Sequence, residues 1–287
     1  MSSCLCAQAR VQSQLWKIDA DGSGLALFAE TPDYSCGSPE WSPDGTHVAY
    51  DTWPVEKTWN DSQVAVVGAD GTEPPRLLGP GAMPNWSPDG TQLVFHTYPG
   101  AYQTHHIVVM NADGSGREAI LNHWGSPRWS PRGNCIATVL DGNIALFDLA
   151  TGRERTILSG PHYVRQGFAI SPDGRRYCFA DNQGGVRLAT LDERLMQATV
   201  RNLVSAGTCA HVSWAPDGRR IVFSWDEKKN GAYQLYLLDV DAKDRPTRLP
   251  GQDPARNNVN PDWSPDGDTI VFASYPRVNT PEARTND

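Results

Sequence analysis

The chain has 287 residues, 39% hydrophobic and 20% charged, with a formal net charge of −8 at pH 7. That balance describes a globular chain long enough to bury a sizeable core, as two ordinary domains or one large all-β domain. It carries no basic stripe of the kind that binds nucleic acid, and no apolar run reaches the roughly 18–20 residues a membrane span needs.

The first stretch, MSSCLCAQAR, contains Ala7 and Ala9 in an Ala-x-Ala pattern. It lacks the basic start and the apolar stretch of about 7–15 residues that mark a signal peptide. The sequence as written is therefore expected in the cytoplasm, or in the periplasm or outside the cell if a leader was trimmed. Residues 1–11 read as a flexible N-terminus. The next phrase, QLWKIDADGSG at 14–24, is a strand running into a turn, and LALF at 25–28 is a second short strand.

From residue 39 one phrase recurs six times: PEWSPDG at 39–45, PNWSPDG at 84–90, PRWSPRG at 127–133, FAISPDG at 168–174, VSWAPDG at 212–218 and PDWSPDG at 261–267. The copies are 41 to 49 residues apart, a period that signals a solenoid or propeller array. Each copy ends in a tight turn, with proline presetting φ, aspartate bonding its own backbone and glycine accepting positive φ. A β-rich run follows (THVAYDTW, TQLVFHTY, NCIATVL, RRYCFAD, RRIVFSW, DTIVFASY), then a variable loop and a third strand such as QVAVVGADG or HIVVMNADG. A short fourth strand closes each repeat, for example RLLG at 76–79. No helical period appears anywhere.

Four antiparallel strands repeated six times predict an all-β, six-bladed β-propeller spanning 12–276. The last copy holds only two strands before a polar tail at 277–287, and the N-terminus begins with the missing third and fourth. Two strands from each end therefore complete the last blade and close the ring, removing exposed sheet edges. A monomer is the expectation for such a ring.

The Trp-Ser-Pro-Asp-Gly repeat resembles that of the TolB-like propeller family, over about residues 12–276. The resemblance implies the propeller fold and a protein-docking, substrate-filtering or, in some members, enzymatic role. No Gly-x-Ser-x-Gly elbow is present, which argues against a propeller-bearing prolyl-peptidase. The repeat tryptophans Trp41, Trp86, Trp129, Trp214 and Trp263 are expected to pack between blades.

Two metal motifs are weak. Asp19, Asp21, Ser23, Gly24 and Glu30 match calcium-loop positions, yet a strand precedes them where helices are usual, so a hairpin turn is expected. Six cysteines form no Cys-x-x-Cys pair, and Cys135, Cys178 and Cys209 sit in apolar runs as small hydrophobes. No cofactor is expected, with a divalent metal in the channel left open.

Function is expected on the face opposite the Ser-Pro-Asp-Gly turns, where loops differ from blade to blade. Long second-to-third-strand loops of four contiguous blades supply an aromatic wall, Trp53, Trp59, Tyr98, Tyr102, Trp225, Tyr233 and Tyr275, with Arg277 nearby. The loops leading into each blade supply His123, Trp124, His162, Tyr163, Arg165, His211, Asn257 and Asn258. The first reading is a scaffold that binds a protein, peptide or saccharide there through Trp53, Trp59, Tyr98, Tyr102, Trp124, His162, Arg165, His211, Trp225, Asn258, Tyr275 and Arg277. The alternative is a carbohydrate lyase or hydrolase at the channel mouth, with His123, His162, Tyr163, Arg165 and His211 abstracting a proton beside a neutralised acid. It requires those groups to converge within about 3–4 Å of a shared site.

Overall fold

The computed structural model describes residues 11–29, 31–99, 104–160, 164–192 and 198–277. Strands β1 (Gln14–Asp19) and β2 (Ala26–Ala29) come first and belong to the sixth blade. Blade 1 is β3 (Tyr34–Trp41), β4 (His47–Pro54), β5 (Gln63–Gly68) and β6 (Arg76–Pro80). Blade 2 is β7 (Ala82–Trp86), β8 (Gln92–Thr97), β9 (His106–Asn111) and β10 (Glu118–Leu121). Blade 3 is β11 (Arg128–Trp129), β12 (Cys135–Leu140), β13 (Asn143–Asp148) and β14 (Glu154–Leu158). Blade 4 is β15 (Val164–Ile170), β16 (Arg176–Asp181), β17 (Val186–Leu191) and β18 (Ala198–Val204). Blade 5 is β19 (Thr208–Trp214), β20 (Arg220–Asp226), β21 (Gln234–Asp239) and β22 (Thr247–Arg248). Finally β23 (Arg256–Trp263) and β24 (Thr269–Pro276) complete blade 6 in the order β2-β1-β24-β23.

The ring is thus closed by strands from both ends of the chain, in continuous register from Gln14 opposite Ser274 to Asp19 opposite Thr269. Among the described residues there is no α-helix, one 3-10 turn at Trp59–Asp61, and no helix long and apolar enough to cross a membrane.

Apolar runs without alternation become intelligible here. Val48, Ala49 and Tyr50 are all fully buried, because both faces of each blade are covered by neighbours. Val48 and Tyr50 pack into the seam with blade 6, and Ala49 into the seam with blade 2. Each of the six seams has its own apolar cluster. The repeat tryptophans sit in them as expected: Trp86 packs on Val64 and Val66 of blade 1, Trp129 on Val94 and Ile107 of blade 2, and Trp263 on Val222 and Leu235 of blade 5.

The Ser-Pro-Asp-Gly turn is held by its own side chains. Ser42 Oγ donates to Asp44 Oδ1 at 2.6 Å and accepts from His47 N at 2.9 Å, while Asp44 Oδ1 also accepts from Thr46 N at 3.0 Å. These bonds hold the Asp44 carboxyl at about 2, below the usual range. Gly45, at φ +70°, meets no Cβ penalty. A Cβ there would lie 3.9 Å from the proline of the preceding blade's turn, Pro265. The same glycine-to-proline contact, between 3.2 and 3.9 Å, recurs at Gly90–Pro43, Gly133–Pro88, Gly174–Pro131, Gly218–Pro172 and Gly267–Pro216. The repeated phrase therefore builds a second, closed ring of turn-to-turn contacts on one rim. Of the calcium-like segment, residues 19–25 form the β1–β2 turn, with Asp19 N donating to Ser23 O at 2.9 Å and Ser23 N to Asp21 Oδ1 at 2.8 Å; Glu30 lies outside the described residues.

Candidate functional site

The innermost strand of each blade ends in its Ser-Pro-Asp-Gly turn, so the second-to-third-strand loops and the loops leading into each blade emerge on the opposite face. Three of them meet over blades 1 to 3. The loop after β4 carries the 3-10 turn Trp59–Asp61, which Ser62 fastens by donating from Oγ to Trp59 O at 2.5 Å. The loop after β8 brings Tyr98, Pro99 and His105, and the loop leading into blade 3 brings Trp124. With Asn60 they line an open cavity of about 440 Å³.

The geometry is aromatic and stepped. Tyr98 lies 5.0 Å from Trp59 at 63° and 4.6 Å from His96 at 82°, centroid to centroid, and Trp124 lies 6.1 Å from His96. Trp59 is 52% exposed and Trp124 38%, so two of the largest apolar side chains stay in water at the rim. Behind them His96 is fully buried, and neither ring nitrogen has a hydrogen-bond partner. Burial, and secondarily the charge of His105, push its pKa down to about 3, so it is a neutral ring at physiological pH. Burial likewise raises the Tyr98 hydroxyl, with a smaller contribution from the Asp51 carboxylate.

A second polar region lies in the channel. The residue before each repeat tryptophan, or before Ile170 where blade 4 has none, is Glu40, Asn85, Arg128, Ala169, Ser213 or Asp262, and five of these six join around the axis. Glu40 accepts from both Asn85 Nδ2 and Arg128 Nη1. Asn85 Oδ1 accepts from Trp129 N at 2.6 Å, Asp262 Oδ2 from Trp41 N at 2.9 Å, and Asp262 Oδ1 from Ser213 Oγ at 2.8 Å. Each of these positions thus ties its blade to another. Above this ring, Ser38, Met83, His211 and Asn260 have positive φ between 36° and 53°, and Gly167 has φ +120°. Each marks a bulge in an innermost strand, a device that re-aims side chains. The neck between them holds a space of about 30 Å³, room for about one water.

Asp262 and His211 line this narrow lumen, and Glu40 bonds Arg128 of the same lining with its side chain 15% exposed. Burial raises Glu40 to about 8 against the opposing pull of Arg128, raises Asp262, and lowers His211 to about 4. Asp51, whose carboxylate accepts from Met83 N at 2.9 Å, is raised by burial to about 6.

Of the residues expected at the site, Trp59, Tyr98 and Trp124 converge in the aromatic cavity, and Asn60, Pro99 and His105 join them unannounced. Trp53 is half-buried against Gly37 of β3. Trp225 is 8% exposed, meets Tyr236 edge-on at 4.8 Å and donates from Nε1 to Ala206 O at 2.9 Å, and it belongs to the seam of blades 4 and 5. Asn258 is buried between Gln252 and Ser274. Tyr275 lies opposite Asn257 in blade 6, and Arg277 N caps Ala255 O at 2.9 Å. His211 lines the channel neck, whereas His123 Nε2 faces Glu154 at 3.3 Å and Nδ1 donates to Trp124 O. His123 does not line that neck. Tyr102, His162 and Tyr163 lie outside the described residues, as does the side chain of Arg165. Among the described residues no three His, Cys, Asp or Glu side chains are grouped to hold a metal.

A family model described as the TolB beta propeller domain matches residues 98–279. The chain belongs to the TolB β-propeller family. Solved structures agree on the fold: a propeller from Agrobacterium tumefaciens assigned to TolB superposes with a TM-score of 0.73 at 20% identity, covering 93% of this chain and 99% of that one. TolB from Acinetobacter baumannii gives 0.63 at 16%, covering 93% of this chain and 64% of that one. An oligogalacturonate lyase from Vibrio parahaemolyticus gives 0.53 at 14%, covering 80% and 74%. Among curated proteins, mouse coronin-7 is 30% identical over 142 residues, 46% of this chain, and mouse periodic tryptophan protein 2 homolog is 27% identical over 104 residues, 36% of this chain. This TolB-family propeller spans only 15% and 11% of those two proteins.

Proposed function

We propose that the chain is a recognition propeller that binds its ligand or partner, as a monomer, on the face opposite the Ser-Pro-Asp-Gly turns. The observation that carries this reading is the aromatic cavity over blades 1 to 3. Exposed large apolar side chains are few among the described residues, and two of them, Trp59 and Trp124, stand on its rim. Tryptophan and tyrosine give large contact area with a polar handle, the composition of binding hot spots. The rigid seams beneath fix the loops and lower the ordering cost of binding.

A thermal-shift panel tests it, with neutral oligosaccharides, uronates, divalent cations and short peptides added to wild type, a Trp59→Ala/Trp124→Ala double variant and His211→Ala. A ligand at a hundred times its dissociation constant adds about 2.7 kcal/mol. A shift that the aromatic variant loses and His211→Ala keeps supports the reading. A uronate or cation shift lost only in His211→Ala would instead support the lyase or hydrolase alternative at the channel mouth.

A further inference from the structure

We infer, resting on that recognition reading, that the aromatic cavity takes an uncharged, proline-rich segment of a partner protein in the polyproline II conformation. Three features of the lining select it. No carboxylate, lysine or arginine is present among Trp59, Asn60, Tyr98, Pro99, His105 and Trp124, so a strongly charged segment would lose water without gaining a carboxylate, ammonium or guanidinium counter-ion. The nearest ionised groups on the same loop, Lys57 and Asp61, face each other at 3.7 Å. The second feature is the hydrogen-bonding balance. The indole N–H groups of Trp59 and Trp124 and both ends of the Asn60 carboxamide have no partner within the described protein, so the N–H donors left open outnumber the one open amide oxygen.

A polyproline II segment answers that need. Its carbonyls are free because the conformation makes no internal hydrogen bonds, and its prolines bring no N–H to be satisfied. Its rings lie flat on aromatic faces, the mode by which aromatic-lined grooves capture such segments. A saccharide is a poorer match: every hydroxyl adds a donor, and the lining holds no carboxylate to receive it. The Asn60 oxygen is one acceptor against many hydroxyls, and His105 Nδ1 is already engaged with Thr97 O at 3.3 Å. The third feature is shape. The three rings come from three separate loops on three blades, stepped rather than forming one closed cup, which suits an extended chain with about 3.1 Å rise per residue.

The test is calorimetric titration of an acetylated, amidated hexaproline peptide, a Gly-Ser hexapeptide and cellohexaose into wild type, Trp59→Ala, Trp124→Ala and Trp124→Phe. Trp124→Phe keeps an aromatic ring and removes the N–H with part of the indole's area at an exposed position, so its thermal midpoint should match wild type. The expected result is binding of hexaproline alone, at least tenfold weaker in each alanine variant and several-fold weaker in Trp124→Phe, the loss of one net hydrogen bond. Absence of hexaproline binding up to about 1 mM overturns the inference. If cellohexaose then binds and the alanine variants lose it, the cavity remains the recognition site for a different ligand class. Hexaproline binding that neither alanine variant weakens overturns both this inference and the cavity as the site.

Discussion

The side-chain amide of Gln252 pairs with both backbone groups of Leu235: Oε1 accepts from its N–H at 2.7 Å and Nε2 donates to its carbonyl at 2.9 Å. The amide stands in for a missing stretch of strand. β22 is only two residues long and reaches just Tyr236 and Leu237 of β21; Leu249 N serves the Leu235 carbonyl at 2.9 Å, but the buried Leu235 N–H would otherwise lack a partner. Gln252 Oε1 also accepts from Asn258 Nδ2 at 3.0 Å, tying this patch to the innermost strand of blade 6.

Replacing Gln252 with alanine should therefore destabilise the ring by about 1–3 kcal/mol, the cost of leaving a buried backbone donor unsatisfied. Urea denaturation would measure it. A change within about 0.5 kcal/mol, the level of an ordinary surface substitution, would show that Leu235 finds water instead.

Stability should fall with rising pH between about 6.5 and 8. Glu40 has its folded pKa raised from 4.5 to about 8, so the native state holds a proton that the unfolded chain has released, and its contribution is lost as pH rises through 8. The lowered histidines, His96 and His211, act in the opposite sense but below about 6.5, where they cost stability as pH falls. The raised carboxyl of Asp51 has lost its contribution by about 6. Glu40→Gln should flatten the denaturation midpoint from pH 6.5 to 8, and an unchanged slope would refute this assignment.

Two glycines at positive φ should respond unequally to alanine. Gly152, at φ +65°, has nothing within 4 Å of a built Cβ, so only backbone strain of about 1–2 kcal/mol is expected. At Gly71, φ +69°, the Cβ would fall 2.0 Å from the backbone oxygen of Phe28. That clash would prise blade 1 from blade 6, so Gly71→Ala should cost more than about 3 kcal/mol. Equal losses in a denaturant series would contradict the seam geometry.

The same contrast separates rim from seam aromatics. Trp225→Ala empties a buried seam position and should cost about 3–5 kcal/mol. Trp59→Ala forfeits chiefly one edge contact with Tyr98, about 0.5–1.5 kcal/mol, and leaves a folded protein fit for ligand titration. Calorimetric melts of both variants decide it.

The ring is legible in the sequence because its turn chemistry repeats in phase and its strands are apolar on both faces. The site is legible only in part, and Trp225 shows why. Trp53, Tyr98 and Tyr275 stand twelve residues after Trp41, Trp86 and Trp263, but Trp225 stands eleven after Trp214. It therefore takes the register place of Thr52, opposite Cys209 as Thr52 is opposite Cys36, and a one-residue offset turns a side chain to the other face. The polar channel ring was also spelled out, as the variable residue before each repeat aromatic. Pro39, Pro84 and Pro261 inside innermost strands, and Pro127 just before β11, signal the irregularity there, since proline within a sheet points to a bulge or an edge. What spacing cannot convey is which loops lean together, so the convergence of Asn60, His105 and Trp124 needs three dimensions.

The strand that locks the ring, β24, is the last of the described strands to be synthesised, and its partner β1 is the first of them. Six consecutive residue pairs bridge that separation, the longest-range pairing in the molecule. Blades 1 to 5 can form as local hairpins during translation, but the circle stays open until β24 emerges. Loop-closure entropy over so long a stretch makes that step slow. Ring closure, rather than blade formation, should therefore limit the folding rate and set the interval in which the chain needs a chaperone.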